Sequence, residues 1–195
     1  MQKFIAEPSF WEILPEASIG IMVVRTMKTA DEVSSEDKAA IASILNEANA
    51  TANQHLTSNT ISENEVVAVW RRAYQFFKTK KGARCSIENL LKRVLKGNPV
   101  GSITPSVDIY NAISLKYALP VGGENIDAFV GDFHLGIDEE GGKSFLPIGE
   151  EENAPHPARR ALLLRRRRSR MPMLQLARWP AHRARRRFPQ RDSRY

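Results

Sequence analysis

Cysteine is almost missing from this chain, with Cys85 its one copy. A single thiol excludes an internal disulfide framework and any zinc site built on several thiolates. Long apolar runs are missing too. In the front half the longest is Val66 to Trp70, far short of the ~20 residues that span a bilayer. There is no phosphate loop, no Rossmann glycine fingerprint and no HExxH helix, so the commonest nucleotide-binding and metalloprotease classes have no support. His55, His134, His156 and His182 are scattered without metal-ligand spacing. The first residues lack the basic, apolar and small-residue zones of a secretory signal. The expectation is a cytoplasmic protein with no membrane segment, no metal and no cofactor.

What is present is an ordinary soluble composition, 42% hydrophobic and 26% charged over 195 residues, enough for one domain and some surplus. The formal charge of +7 hides two populations. The 38 residues from 158 to 195 hold 14 Arg, no Lys and one acidic group, Asp192, a net of +13. The remaining 157 residues carry a net of −6. A boundary at Pro157 follows, with a body over 1–157 and an arginine-rich tail over 158–195.

Hydrophobic periodicity orders the body. Ser18 to Val24, short, branched and apolar, reads as a buried strand. A helix follows, capped at Ser34 or Ser35, with Ile41, Ile44, Leu45 and Ala48 on one face. Ser62 and Glu65 form a capping box for a second helix, whose stripe is Val66, Val69, Trp70, Ala73 and Phe77. Ser86 caps a third, with Leu90, Leu91, Val94 and Leu95 inward, ended by Gly97 and Pro99. Thr104-Pro105 opens a fourth, which runs to about Ala118 and stops at Pro120. Ala128 to Ile137 and Phe145 to Ile148 read as strands around a Gly141-Gly142 turn. A strand, four helices and then strands predict an α+β fold.

Few residues suggest chemistry. Cys85 lies between Arg84 and Ser86 at a helix start, where a thiol pKa is lowered; a small semi-buried residue explains it as well. Asp132 and His134 share a strand face and read as a surface pair. Asp108 and Asn111, three apart on the fourth helix, share a face beside Tyr110 and Tyr117. They suit a pocket wall that hydrogen-bonds a polar ligand, or a buried polar pair tying the helix to a loop. Gly122-Gly123-Glu124 follows as a tight loop whose glycines allow close backbone approach, or merely a turn.

Two stretches carry a resemblance. Arg84-Cys-Ser-Ile-Glu-Asn-Leu-Leu-Lys-Arg-Val-Leu-Lys-Gly97 leads into Ile103-Thr-Pro-Ser-Val-Asp-Ile-Tyr-Asn-Ala-Ile-Ser-Leu-Lys-Tyr-Ala-Leu-Pro-Val-Gly-Gly-Glu124. Together they resemble the B-three/B-four module of the phenylalanyl-tRNA synthetase β subunit, and more closely the free-standing bacterial proteins built from that module. Asp108, Asn111 and Pro120 match its valine, aspartate, asparagine and helix-ending proline pattern. The resemblance covers about residues 10–157. It implies a layered β/β/α sandwich and a tRNA or aminoacyl-tRNA partner. It also implies an editing site that hydrolyses mischarged aminoacyl-tRNA, with Ser86, Asp108, Asn111, Gly122, Gly123 and Glu124 as substrate-binding positions. Where the synthetase has Pro-Met-His-Ala-Phe, this chain has Pro120-Val-Gly-Gly-Glu124, so the editing histidine falls at Gly122. No catalytic residue is assigned. A non-catalytic protein that binds an amino acid or another small molecule is the alternative, and the acidic body favours it.

The tail departs from that family. Read one nucleotide later, Met171 to Pro180 permits Cys-Arg-Cys-Cys-Asn-Trp-Arg-Asp-Gly-Gln, similar to the cysteine-rich ending of the free-standing proteins. Residues 158–195 are therefore expected to be out of frame and disordered. The functional alternative is a basic arm in which Arg165 to Arg168, Trp179 and Phe188 meet phosphates and bases.

Overall fold

The computed structural model describes residues 2–76, 83–138, 144–145, 154–155, 160–167 and 172–174. They form an α+β arrangement, as the order of elements in the sequence predicts. The chain divides into two compact units, each drawn from pieces distant in sequence.

The first unit takes Met1–Gly20, Arg72–Ala83 and Glu124–Arg178. Its sheet is ordered β1-β2-β5-β6: β1 is Phe4–Ala6, β2 Phe129–Asp138, β5 Arg160–Arg167 and β6 Pro172–Leu174. A separate pair joins β3 (Ser144–Phe145) to β4 (Ala154–Pro155). β2 is the strand predicted over Ala128 to Ile137, and its period of two sorts its residues between faces. Phe133 and Leu135 fall on one face, opposite Phe4 and Ala6 of the parallel strand β1. There they pack with Phe10 and Leu14, around the short helix α1 (Pro8–Ile13). Asp132 and His134 fall on the other face, but the expected pair between them does not form. Asp132 Oδ1 accepts from Lys3 N at 2.9 Å, and His134 Nδ1 lies 2.5 Å from Glu7 Oε1. Gly136 allows this approach, since a Cβ there would lie 3.1 Å from Glu7 Cγ.

β5 and β6 lie on the tail side of the boundary expected at Pro157. β5 pairs antiparallel with β2 from Asp138 opposite Arg160 to Phe129 opposite Arg167, with a register shift between Val130 and His134. β6 pairs antiparallel with β5. In these two stretches the arginine-rich part is paired strand. The rest of it, with Arg168, Trp179, His182 and Phe188, lies outside the described residues, as do Phe77, His156, the Gly141-Gly142 turn and residues 146–148 of the second predicted strand.

The second unit takes Ile21–Arg71 and Arg84–Gly123. α2 (Ser35–Thr51) starts as predicted, with Ser34 Oγ accepting from Asp37 N at 3.0 Å. Its inward face is Leu45, Ala48 and Asn49, and Ile44 is turned out. α3 (Glu65–Gln75) begins later than the predicted capping box allows. Ser62 lies in the preceding 3-10 turn, and Asn64 stands before the helix. Its inward residue is Val67, while Val69 of the predicted stripe is 45% exposed. α4 (Ser86–Leu95) has Cys85 at its cap position, so Ser86 is its first residue and not its cap. It closes as the sequence predicts: Gly97 takes φ +69, Gly97 N donates to Val94 O and Asn98 N to Arg93 O, each at 2.9 Å. α5 (Pro105–Tyr117) has Thr104 at its cap and Pro105 in its first turn, and ends at Ala118 in a left-handed conformation. α5 packs on both α2 and α4.

Ser18 to Val24 is not a strand. None of the described residues pairs with it, and Ile21, Met22, Val23 and Val24 are each more than half exposed. Branched apolar residues favour a strand only where a neighbouring strand supplies hydrogen bonds and cover.

One ion cluster braces the second unit. Glu88 lies on α4 among Ile87, Leu90 and Leu91 and is 2% exposed. Its carboxylate accepts from Arg71 Nε at 3.1 Å and Nη2 at 2.6 Å. Arg84 Nε lies 2.9 Å from Oε1. The hydrogen bonds from Arg71 outweigh burial and push its pKa further up, so the guanidinium stays charged wherever the protein is folded. Glu88→Gln is expected to lower stability by about 2–3 kcal/mol, the worth of charge-assisted hydrogen bonds at a buried acceptor, less what the half-exposed arginines regain from water. Urea denaturation of the two proteins checks this, and an unchanged midpoint would remove the cluster as a brace.

Candidate functional site

The candidate site is built on α5. Its first turn is fixed by Thr104 and Pro105, and Val107, Asp108, Asn111, Ala112, Ser114 and Leu115 are buried along it. Asp108 and Asn111 do share the inward side, as their spacing predicts. Their surroundings differ. Asp108 accepts from Ile103 N at 2.7 Å and from the Ser102 hydroxyl. Both carboxylate oxygens are thus engaged by the segment before the helix, and Asp108 acts as the fastener of that segment. Ser114 donates to Leu119 O and fastens the other end.

Asn111 is 6% exposed, and its carboxamide has no hydrogen-bond partner among the described residues. The other buried polar residues that the structure describes are all paired. Asn49 donates to Leu45 O and Val100 O at 3.0 Å each and accepts from Val100 N at 2.7 Å. Asn64 accepts from Thr57 N at 2.7 Å and Ser58 N at 3.0 Å. Glu88 has its arginines. A buried amide left unpaired costs about 1–3 kcal/mol, and such groups call for a ligand, a water or a role. Asn111 is therefore the polar group of α5 with hydrogen bonds left to make.

The glycine loop lies against the same helix through a different side chain. A Cβ on Gly123 would sit 3.9 Å from ring carbons of Tyr110, the neighbour of Asn111. Gly122 and Gly123 are exposed, with open backbone. Glu124 is half-buried and falls in the first unit. Ser86 opens α4, and among the described residues no hydrogen bond joins it to Asp108 or Asn111. Cys85 is buried. His55 Nε2 lies 3.1 Å from Lys116 O near the end of α5. Among the described residues no group of three or more His, Cys, Asp or Glu is placed to hold a metal, and no helix is long and apolar enough to cross a membrane.

Some of this escaped the sequence. Glu88 sits in an apolar stripe, which is a signal of a paired buried charge, but its partner Arg71 is far away in sequence. The part of Ser102 carries no local signal, and Tyr110 is distinguished from Tyr117 only by which of them meets the loop.

Replacing Asn111 separates binding from bracing. Leu has the same branching without polar atoms, so Asn111→Leu is expected to raise the stability of the ligand-free protein by about 1 kcal/mol while abolishing ligand binding, because an unpaired buried amide is removed. Thermal melts read beside binding assays check it. A melt lowered by several degrees would mean that the carboxamide is already satisfied in the free protein.

The B3/4 domain family matches residues 69–169, just over half of the chain, and that range holds α4, α5, the glycine loop, β2 and β5. No curated protein and no solved structure matches the chain. Every candidate site residue falls inside the matched range, together with the Asp108, Asn111 and Pro120 pattern that suggested the module. The chain belongs to the B3/4 domain family, the domain found in the phenylalanyl-tRNA synthetase β subunit.

Proposed function

We propose that this protein binds tRNA or the aminoacylated end of a tRNA, with the Asn111 carboxamide and the Gly122-Gly123 backbone as the recognition elements. The observation that carries the reading is the buried, unpartnered Asn111 inside the range matched to a domain of a tRNA-charging enzyme. A carboxamide offers both a donor and acceptors, which suits an aminoacyl ester with its amine and carbonyl. Hydrolysis of a mischarged ester is part of the proposal. With glycine at position 122, the reaction uses a positioned water, and backbone N–H groups of the glycine loop stabilise the oxyanion. No imidazole takes part at that position. The layered β/β/α sandwich implied by the resemblance, and a cytoplasmic location, belong to the same reading.

The test measures binding of the full chain to tRNA and to duplex DNA at equal salt, followed by deacylation of mischarged tRNAs. A preference for tRNA that Asn111→Leu removes is the expected result. The arginine-rich end gives a non-specific background common to both polymers, so equal affinity for tRNA and duplex DNA would end the tRNA reading. Binding of a free amino acid without that preference would replace it with a small-molecule role. Ester hydrolysis falls separately if tRNA binds and every mischarged species keeps its amino acid.

We also propose that the arginine-rich residues 158–195 are out of the family's frame. Resequencing the gene tests it, and an intact frame through codon 195 would make the basic arm genuine.

A further inference from the structure

An open cleft of about 320 Å³ in the second unit is lined by Asn59, Ile61, Lys92, Leu95 and Lys96. It lies apart from the Asn111 residues in the sequence and shares no lining residue with them. One wall is the last turn of α4 with the residue after it, where Lys92 and Lys96 are four apart and so on one face. The other wall is the loop before α3. That loop is held without any ligand. Asn64, fully buried, accepts from Thr57 N and Ser58 N and donates to Ser58 O and Thr60 O, the last two at 3.1 Å. The cleft is therefore preformed.

Its chemistry is two-sided. Ile61 and Leu95 are half-buried apolar walls, and Asn59 is exposed at the rim. Lys92 and Lys96 are exposed, and among the described residues no ion pair joins either ammonium to a carboxylate. Neither described carboxylate contact nearby in sequence involves these lysines. Glu88 is taken by two arginines, and Glu63 accepts from Ser58 Oγ at 2.7 Å. In a body of net −6, α4 presents an uncompensated positive surface. Lysines at a helix C-terminus favour the helix itself, but that does not explain their standing over an apolar-walled cleft with a carboxamide at its rim.

We propose that this cleft takes one unstacked nucleotide of an RNA, its base on Ile61 and Leu95 with an edge at Asn59, and its flanking phosphates on Lys92 and Lys96. The volume is at the lower end of the roughly 300–1,000 Å³ typical of small-ligand pockets, room for one base and not for a duplex. Single-stranded RNA is recognised through splayed bases and backbone charge. The inference rests on the tRNA reading and adds a second contact surface to it.

The experiment uses the full chain and its Lys92→Gln/Lys96→Gln variant, which loses two charges and keeps helix-forming side chains. tRNA affinity is measured across a salt series, beside thermal melts and photo-crosslinking to 4-thiouridine-substituted tRNA. The expected result is a salt slope shallower by about 2, one for each lost phosphate contact, with a melt lowered by no more than the small loss of favourable helix-end charge and crosslinks to the peptides holding residues 59–61 and 92–96. An unchanged slope overturns the cleft while leaving tRNA binding intact. An equal loss towards duplex DNA also overturns it, because the lysines then act as a general charge. If the wild-type chain shows no preference for tRNA, the functional reading fails first and the cleft falls with it.

Discussion

The second unit depends on a carboxylate that cannot be left alone. Glu88 is withdrawn from water among Ile87, Leu90 and Leu91, and only the guanidiniums of Arg71 and Arg84 make that tolerable. An isolated buried charge would be prohibitive, whereas a paired and hydrogen-bonded one is sustainable. The arrangement fixes α3 against α4 and orients the start of α4. From there Leu90 and Leu91 reach the core, while Lys92 and Lys96 come to stand over the cleft. Two cations on one anion also leave a net positive charge beside an otherwise acidic body.

Elsewhere the unit spends its buried polar groups as clamps. Asn49 ties α2 to Val100, Asn64 ties down the loop before α3, and Asp108 ties the 102–103 segment to α5. Each clamp joins a helix to irregular chain whose backbone groups need partners. Asn111 breaks that pattern. It occupies a position as buried as the others and joins nothing among the described residues. Under the proposed function that carboxamide is kept for binding, a place where stability is traded for function.

How much was legible follows from how local each signal is. Ser34, Gly97, Thr104 with Pro105, and the alternation of β2 act through their immediate neighbours, and all appear where the residues place them. In α2 the expected Leu45 and Ala48 do turn inward and Ile44 does not, while in α3 valines stand on both sides of the helix and packing chose Val67 over Val69. Ser18 to Val24 carries the right composition for a strand, but composition does not supply a partner. The site was legible in part. The spacing of Asp108 and Asn111 put them on one side, while the division of labour between them depends on Ser102 and Ile103, whose roles only the folded chain reveals. β5 was hidden by its arginines, which read as a solvated tail.

The sheet of the first unit has a consequence for the order in which the molecule is made. β1, at residues 4–6, pairs in parallel with residues 133–135 of β2, so more than a hundred residues leave the ribosome before that pairing can close. Most of the intervening chain, from Ile21 to Arg71 and from Arg84 to Gly123, belongs to the second unit. Its helices and short connections form contacts of lower sequence separation, which assemble sooner than non-local strand pairing. The helices α2 to α5 are thus made while the N-terminal strand still waits, and the sheet of the first unit is a late product of synthesis although it contains the first strand made.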